Sequence, residues 1–484
     1  MWLNCEGRSP VFRSVAASLA LAAALGLSAC AEEGPRDPIG LTAVSHGVET
    51  GAERQARLSE RKEADSADPW FAGAAIADEP SAALIAREVL EQGGNAADAA
   101  SAVYFGLSVT YPAAAGLGGG GICLVHEAGA TTVDTVSFLT RTPRGGGAIA
   151  VPGNVRGFAY IHSRYGSLPW GSIVAPAERL AATGIPVSRA SAAQFAAASS
   201  VISGSPALKA VFATDGGIAK ELDVVTRIHQ AATLAQVRSK GVGGFYSGPT
   251  ARRLVETAAQ AGGALDFGDL RDYRPVVSSA RMVERGTGKV WLPSEEVGAG
   301  AFGTALWSAI QNASPGELAA IAETTATRLG APAGTDRDYG STSFVAIDGK
   351  GGAVACAVSM NGPFGAGVVV EETGVVLAAS PSAPVMGLAQ AYLAPVIVTG
   401  ESGEYVRFTG AGSGAPRGAA AVQYTAMNVQ TDEAALNALD AGPADARSSV
   451  NGIVCPDGIA TGACALAINP RGNGMGVTGV AAGN

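Results

Sequence analysis

Residues 336–360 read DRDYGSTSFVAIDGKGGAVACAVSM. The runs Thr342–Asp348 and Ala353–Met360 flank the glycine-rich turn Gly349–Gly352, a pattern that predicts a strand, a tight turn and a strand. Both runs are apolar at nearly every position, so both faces of their sheet should be covered. The polar cluster Gly340-Ser341-Thr342-Ser343 runs straight into the first strand. A loop entering a strand is its ordinary reading. The chemical alternative is scission: a serine hydroxyl attacks the preceding carbonyl, shifts the chain to an ester, and water cuts it. Ser341 would then carry a free α-amine with an ordinary pKa of about 8, able to serve its own hydroxyl as general base. No histidine is needed for such chemistry, and the four present (His46, His126, His162, His229) are scattered.

Outward from this stretch, helical periodicity dominates. In residues 80–94, Ala82, Ile85, Ala86, Val89 and Leu90 share one helical face that Gly93 closes. Asn95 caps a second helix with Asp98 in its first turn. Gly116–Gly121 (GLGGGG) leads into a strand-like ICLVH. Helices with short loops are predicted from about 150 to 270, among them residues 172–184, 224–241 and 250–263. Another covers residues 317–330, followed by the breaker-rich loop APAGTDRDYG. Helices outside and doubly covered sheets inside suggest stacked layers.

Composition narrows the class. The 484 residues are 47% hydrophobic and 15% charged, enough for a large core, and the net charge of −9 argues against a nucleic-acid partner. The histidine scatter leaves no expected metal site, and no cofactor is expected. GLGGGG formally contains G-x-G-x-x-G, but a strand follows where a dinucleotide fold needs a helix. No G-x-S-x-G, H-E-x-x-H or P-loop occurs.

At the N-terminus, Arg8 and Arg13 precede VAASLALAAALGLSAC, an apolar run too short for a typical span of about 20 residues. It reads as a secretory signal over residues 1–29. Leu27-Ser28-Ala29-Cys30 resembles a bacterial lipobox, in which Cys30 would carry the lipid. Residues 30–66 are then a polar tether. The expected location is the cell envelope, on the periplasmic face, at the outer rather than the inner membrane. In such an oxidising compartment Cys455 and Cys464 can pair, whereas Cys123 and Cys356, in apolar strand-like runs, read as buried thiols.

GGNAADAASA, GLGGGG, VPGNVRGF, YGSLPW, PAERLAATGIPV and GGFYSGPTARRL look, in that order, like successive motifs of the γ-glutamyltranspeptidases. STSFVAIDGKGGAVACAVSMNGPFGAGVVV is similar to that family's stretch from Thr-Thr-His to Asn-x-x-Phe-Gly-x-G. The likeness covers roughly residues 70–420. It implies an α+β, four-layer αββα sandwich of the N-terminal-nucleophile hydrolase type. It also implies one chain cut between Gly340 and Ser341, with 67–340 and 341–484 forming a heterodimer. Such enzymes break a γ-glutamyl amide of a small molecule such as glutathione and pass the acyl group on. By position, Ser341 falls on the nucleophilic threonine, Thr342 on the threonine after it, and Ser359 on a threonine that hydrogen-bonds the nucleophile. Asn361 falls on a substrate-binding asparagine, and TGAGSGAPRG resembles the oxyanion loop, with Gly412 and Gly414 as its donors.

The sequence also departs from the family. The family's carboxylate-binding arginine is replaced by Leu139 or Val136, with Arg141 nearby as the candidate substitute. Its Ser-Ser pair corresponds to Ala391-Tyr392, and its Asn-Asn-x-Met-Asp-Asp stretch to AASPSAP (378–384). These changes leave room for an acylase acting on a less polar acyl amide, with Tyr392 lining its pocket, or for a non-catalytic envelope binding protein.

Overall fold

The computed structural model describes residues 70–332, 338–382, 387–429, 448–469 and 472–481. The signal (1–29), Cys30 and the tether (30–66) lie outside the described residues.

Two antiparallel sheets organise the chain. Strands β1 (Phe71–Ala77), β2 (Gly120–His126), β3 (Asp134–Phe138) and β4 (Val276–Ser279) belong to the first sheet. Strands β5 (Arg281–Arg285) and β6 (Gly288–Leu292) belong to the second. The predicted hairpin supplies β7 (Ser341–Asp348) and β8 (Ala353–Ser359) to the first sheet. Then come β9 (Ala394–Gly400), β10 (Val406–Ser413), β11 (Ser449–Val454) and β12 (Ala465–Ile468) in the second, and β13 (Met475–Val480) returns to the first. The first sheet runs β13-β1-β7-β8-β2-β3-β4 and the second β12-β11-β10-β9-β6-β5.

The hairpin shows why four layers form. Its side chains alternate between faces. Phe344, Ala346, Val354, Cys356 and Val358 point into a core shared with helices α1 (Pro80–Glu91), α2 (Ala96–Thr110) and α3 (Asn154–Tyr165). Val345, Ile347, Ala353 and Ala355 point the other way, onto Ile397, Ala411 and Ile453 of the second sheet. Strands apolar on both faces therefore sit at the centre, as the sequence predicts. On the far side of the second sheet, helices α4 (Leu318–Arg328) and α5 (Pro416–Asn428) close another core with Val396 and Phe408. The arrangement is the expected αββα sandwich.

Helix α2 shows the local code at work. Asn95 accepts from the Asp98 N–H, and the Asp98 carboxylate accepts from the Asn95 N–H, which satisfies two orphan donors at the helix start. All fifteen residues of α2 are buried, so it is the central helix of its layer.

Two expectations change. The helix predicted from residue 224 begins at Ile228, because β-branched Val224 and Val225 extend and pair with Ile185 and Pro186. Cys123 and Cys356 are not thiols. They stand directly opposite on β2 and β8, with Cα atoms 4.2 Å apart, and form a disulfide. Directly opposed positions on adjacent antiparallel strands meet the distance a disulfide requires, and linear spacing does not reveal that proximity. Cys455 and Cys464 pair with each other.

Candidate active site around Ser341

Strand β7 starts at Ser341, among small residues on the neighbouring strands. Ser341 pairs in register with Ser359 on β8, and Ser359 with Gly120 on β2. The turn after β8 then folds back over the segment before β7. Asn361 and Phe364 in that turn take positive φ values of 61° and 57°, a conformation that side chains avoid unless their surroundings impose it. Phe364 is fully buried against Phe195 and Phe212, which holds the turn in place.

Gly340 must be glycine twice over. Its φ is +58°, and a Cβ there would lie 2.1 Å from the Gly362 carbonyl carbon. The Gly340 carbonyl thereby meets two donors, the Met360 N–H at 2.9 Å and the Ser359 hydroxyl at 3.2 Å. The Ser341 hydroxyl donates to Ser359 Oγ at 2.9 Å, and Ser359 Oγ also accepts from the Asn361 N–H. The Ser341 hydroxyl and the carbonyl on its N-terminal side are therefore linked through one hydroxyl. If Ser341 Oγ attacks that carbonyl, the charge developing on the Gly340 oxygen meets two donors already in place. A Gly340→Ala protein has to swing this carbonyl away from them. Losing one such donor typically costs about 10²–10³ in rate, so scission should slow by about 10²-fold or more. The appearance of the 341–484 fragment over time measures it.

Behind Ser341 lies a polar floor. Thr342, fully buried, donates to Asp78 Oδ2 at 2.6 Å. Asn451 donates to Asp78 Oδ1 at 2.9 Å and to the Ser343 carbonyl. Ser343 Oγ bonds Ser449 and the Ala411 carbonyl, tying β7 to β11 and β10. A cleft of about 90 Å3 opens at Ser341, lined by Asp78, Tyr111, Gln194, Asp338, Ser448 and Ser449 among others. Gln194 Oε1 and Ser448 Oγ in this lining are buried without a hydrogen-bond partner. Burial, and after it the charges of Asp78, Asp338 and Glu79, push the Tyr111 hydroxyl well above its ordinary pKa.

The other candidates divide. Asn361 is buried beside Ser359, its Nδ2 donating to Thr140 Oγ1 and the Ala379 carbonyl while its Oδ1 stays unpartnered. Tyr392 is buried, its ring edge-on to Tyr339, the residue before Gly340, and burial raises its hydroxyl pKa. Neither lines the cleft. Arg141 is turned elsewhere: its guanidinium lies over the Tyr273 ring and donates to the Arg274 carbonyl. Leu139 packs near Ile122, Ala357 and Leu393. Gly412 sits within β10, paired with Ala394 and Val450, and Gly414 follows with φ +91°. Neither glycine borders the Ser341 cleft. Of AASPSAP, Ala383 and Pro384 lie outside the described residues. Among the described residues no cluster of side chains could hold a metal ion.

Sequence reading missed Asp78, Tyr111, Gln194, Ser448 and Ser449. Only Asp78 carried a signal: a carboxylate standing where the apolar strand FAGAAIA ends.

The family model for γ-glutamyltranspeptidase matches residues 82–312. A scoloptoxin of Scolopendra dehaani is 34% identical over 212 residues, covering 40% of this chain and 37% of its own length. Glutathione hydrolase 2 of Arabidopsis thaliana is 32% identical over 229 residues, covering 44% of this chain and 40% of its own. The glutathione hydrolase proenzyme of Bacillus subtilis (strain 168) is 31% identical over 216 residues, with 40% and 37% covered. The chain thus spans about two-fifths of the length of the curated relatives it matches. The cephalosporin acylase of Bacillus halodurans superposes with a TM-score of 0.68 at 18% identity, over 84% of this chain and 96% of that one, a likeness of fold. Over residues 82–312 the chain is similar to the γ-glutamyltranspeptidases, and the layered sheets around Ser341 share the acylase's fold.

Proposed function

We propose that this protein is a self-processing amide hydrolase or acyltransferase that works through an acyl-enzyme on Ser341. One observation carries the reading: the Gly340 carbonyl is held by the Met360 N–H and the Ser359 hydroxyl, while Ser359 also receives the Ser341 hydroxyl. In processing, Ser341 Oγ bonds to the Gly340 carbonyl carbon, its proton passes to the Ser341 nitrogen, and the C–N bond breaks. Water then hydrolyses the ester, leaving a carboxylate on Gly340 and a free α-amine on Ser341. In turnover the same hydroxyl attacks a donor amide and gives its proton through that amine to the leaving nitrogen. Water or an acceptor amine then takes the acyl group.

The family supports a γ-glutamyl group, as in glutathione, as the first acyl group to test. The place of Arg141, engaged with Arg274 and Tyr273, favours a second reading in which a less polar acyl group is taken. Localisation is part of the same proposal: a lipid on Cys30 would hold the protein at the envelope, and the two disulfides suit an oxidising compartment.

The test is N-terminal sequencing and mass analysis of the purified protein under reducing, denaturing conditions. A fragment beginning Ser341-Thr342-Ser343-Phe344 is expected. The cut protein should release p-nitroaniline from γ-glutamyl-p-nitroanilide. Failure there, with turnover of an uncharged acyl anilide, establishes the second reading. An intact Gly340–Ser341 bond overturns both and leaves a binding protein.

A further inference from the structure

We propose that Asp78 is the counter-charge that holds and orients the α-amine freed on Ser341, a role that rests on the self-processing reading above. Strand β1 pairs Ala77 with Phe344, so the next residue, Asp78, leaves the sheet beside the first three residues of β7. Its carboxylate is fixed there by Thr342 Oγ1 at 2.6 Å and Asn451 Nδ2 at 2.9 Å, one bond to each oxygen. An ionised carboxylate has about four acceptor directions, so each oxygen retains capacity for another donor. Asp78 and Ser341 line the same small cleft.

Scission changes what this cleft must accommodate. Before the cut, the Ser341 nitrogen is a neutral amide. Afterwards it is an amine that binds a proton near neutral pH, in a cleft that the Asp78 carboxylate also lines while bonded to the hydroxyl of the next residue. A nearby opposite charge favours the protonated form and fixes the direction of its N–H groups. Once deprotonated, the amine stays aligned toward its own hydroxyl, the geometry a base needs.

Other groups face the same place. Asp338 lines the cleft from the segment ahead of the cut, and the Tyr111 hydroxyl comes from the end of α2. Glu79 is fully buried next to Asp78, with Oε2 capping α1 and Oε1 unpartnered. Among the described residues no Lys, Arg or His lines the cleft. Burial first, and after it the charges of Asp78, Asp338 and Glu79, push the Tyr111 hydroxyl up. Asp78 differs from Glu79 in contacting β7 directly, through Thr342.

The experiment measures the proton affinity of the Ser341 amine in the cut protein, by competitive acetylation across pH, in the wild type and in Asp78→Asn. The wild-type amine is expected to titrate above the ordinary value of about 8. Asp78→Asn is expected to lower it by about one unit. The acid limb of kcat/KM against pH should move down by the same amount. A merely structural role for Asp78 would lower yield or kcat and leave both midpoints in place, which overturns the proposal. If Asp78→Asn does not fold, the wild-type titration decides alone: an amine at or below the ordinary value overturns it. An uncut Gly340–Ser341 bond in the wild type is a different failure, that of the self-processing reading.

Discussion

A Ser341→Ala protein is expected to remain uncut between Gly340 and Ser341 and to turn over no amide. The hydroxyl is the atom that would attack in both reactions, and the hydroxyls of the next residue and of its cross-strand partner are engaged elsewhere. Thr342 is committed to Asp78, and Ser359 to the Gly340 carbonyl and the Asn361 N–H. The fold should survive. Ser341 is only partly buried, and its hydroxyl donates to Ser359 in a bond worth about 1 kcal/mol. The Ser359 hydroxyl and Met360 N–H would still hold the Gly340 carbonyl, so an uncut chain cannot be ascribed to a displaced carbonyl. A Ser341→Thr protein, which keeps the hydroxyl, should still be cut. Time courses on reducing gels, with the mass of each product, read both variants. Scission in Ser341→Ala would place the nucleophile elsewhere.

Much of this site was legible in the sequence because it is local. The hairpin of β7 and β8 follows from two doubly apolar runs and a glycine-rich turn, and that hairpin alone brings Ser359 opposite Ser341. The helix caps at Asn95 and Asp98 were equally local. What escaped depends on chain folding back from afar. Asp78 reaches Thr342 across 264 positions, and Asn451 reaches Asp78 across 373. No spacing rule joins such residues; only strand order does. The disulfide between Cys123 and Cys356 failed for the same reason: its partners meet through the pairing of β2 with β8, and an apolar setting suits a thiol as well as a bridge. Arg141, the candidate binding group near the expected place in the sequence, has its side chain over the Tyr273 ring, a placement that linear spacing does not carry.

That same disulfide leads to the second large effect: the cut protein should run as one species on a denaturing gel without reductant and as two with it. Cys123 precedes the Gly340–Ser341 bond and Cys356 follows it, so the bridge joins the two fragments across the cut. The other bridge, Cys455–Cys464, lies wholly within the second fragment and joins nothing. Both cysteines of the joining bridge are fully buried between sheet and helices, so reductant should act only after the protein is unfolded. In native buffer the fragments would stay together regardless. Strands β7 and β8 of the second fragment sit between β1 and β2 of the first, and separating them would strip both edges of the central hairpin. A Cys356→Ala protein isolates the covalent term. It should still be cut, should give two bands without reductant, and should lose stability by about 2–5 kcal/mol, the usual cost of a lost native bridge. Two bands from the wild type without reductant would show that β2 and β8 carry free thiols after all.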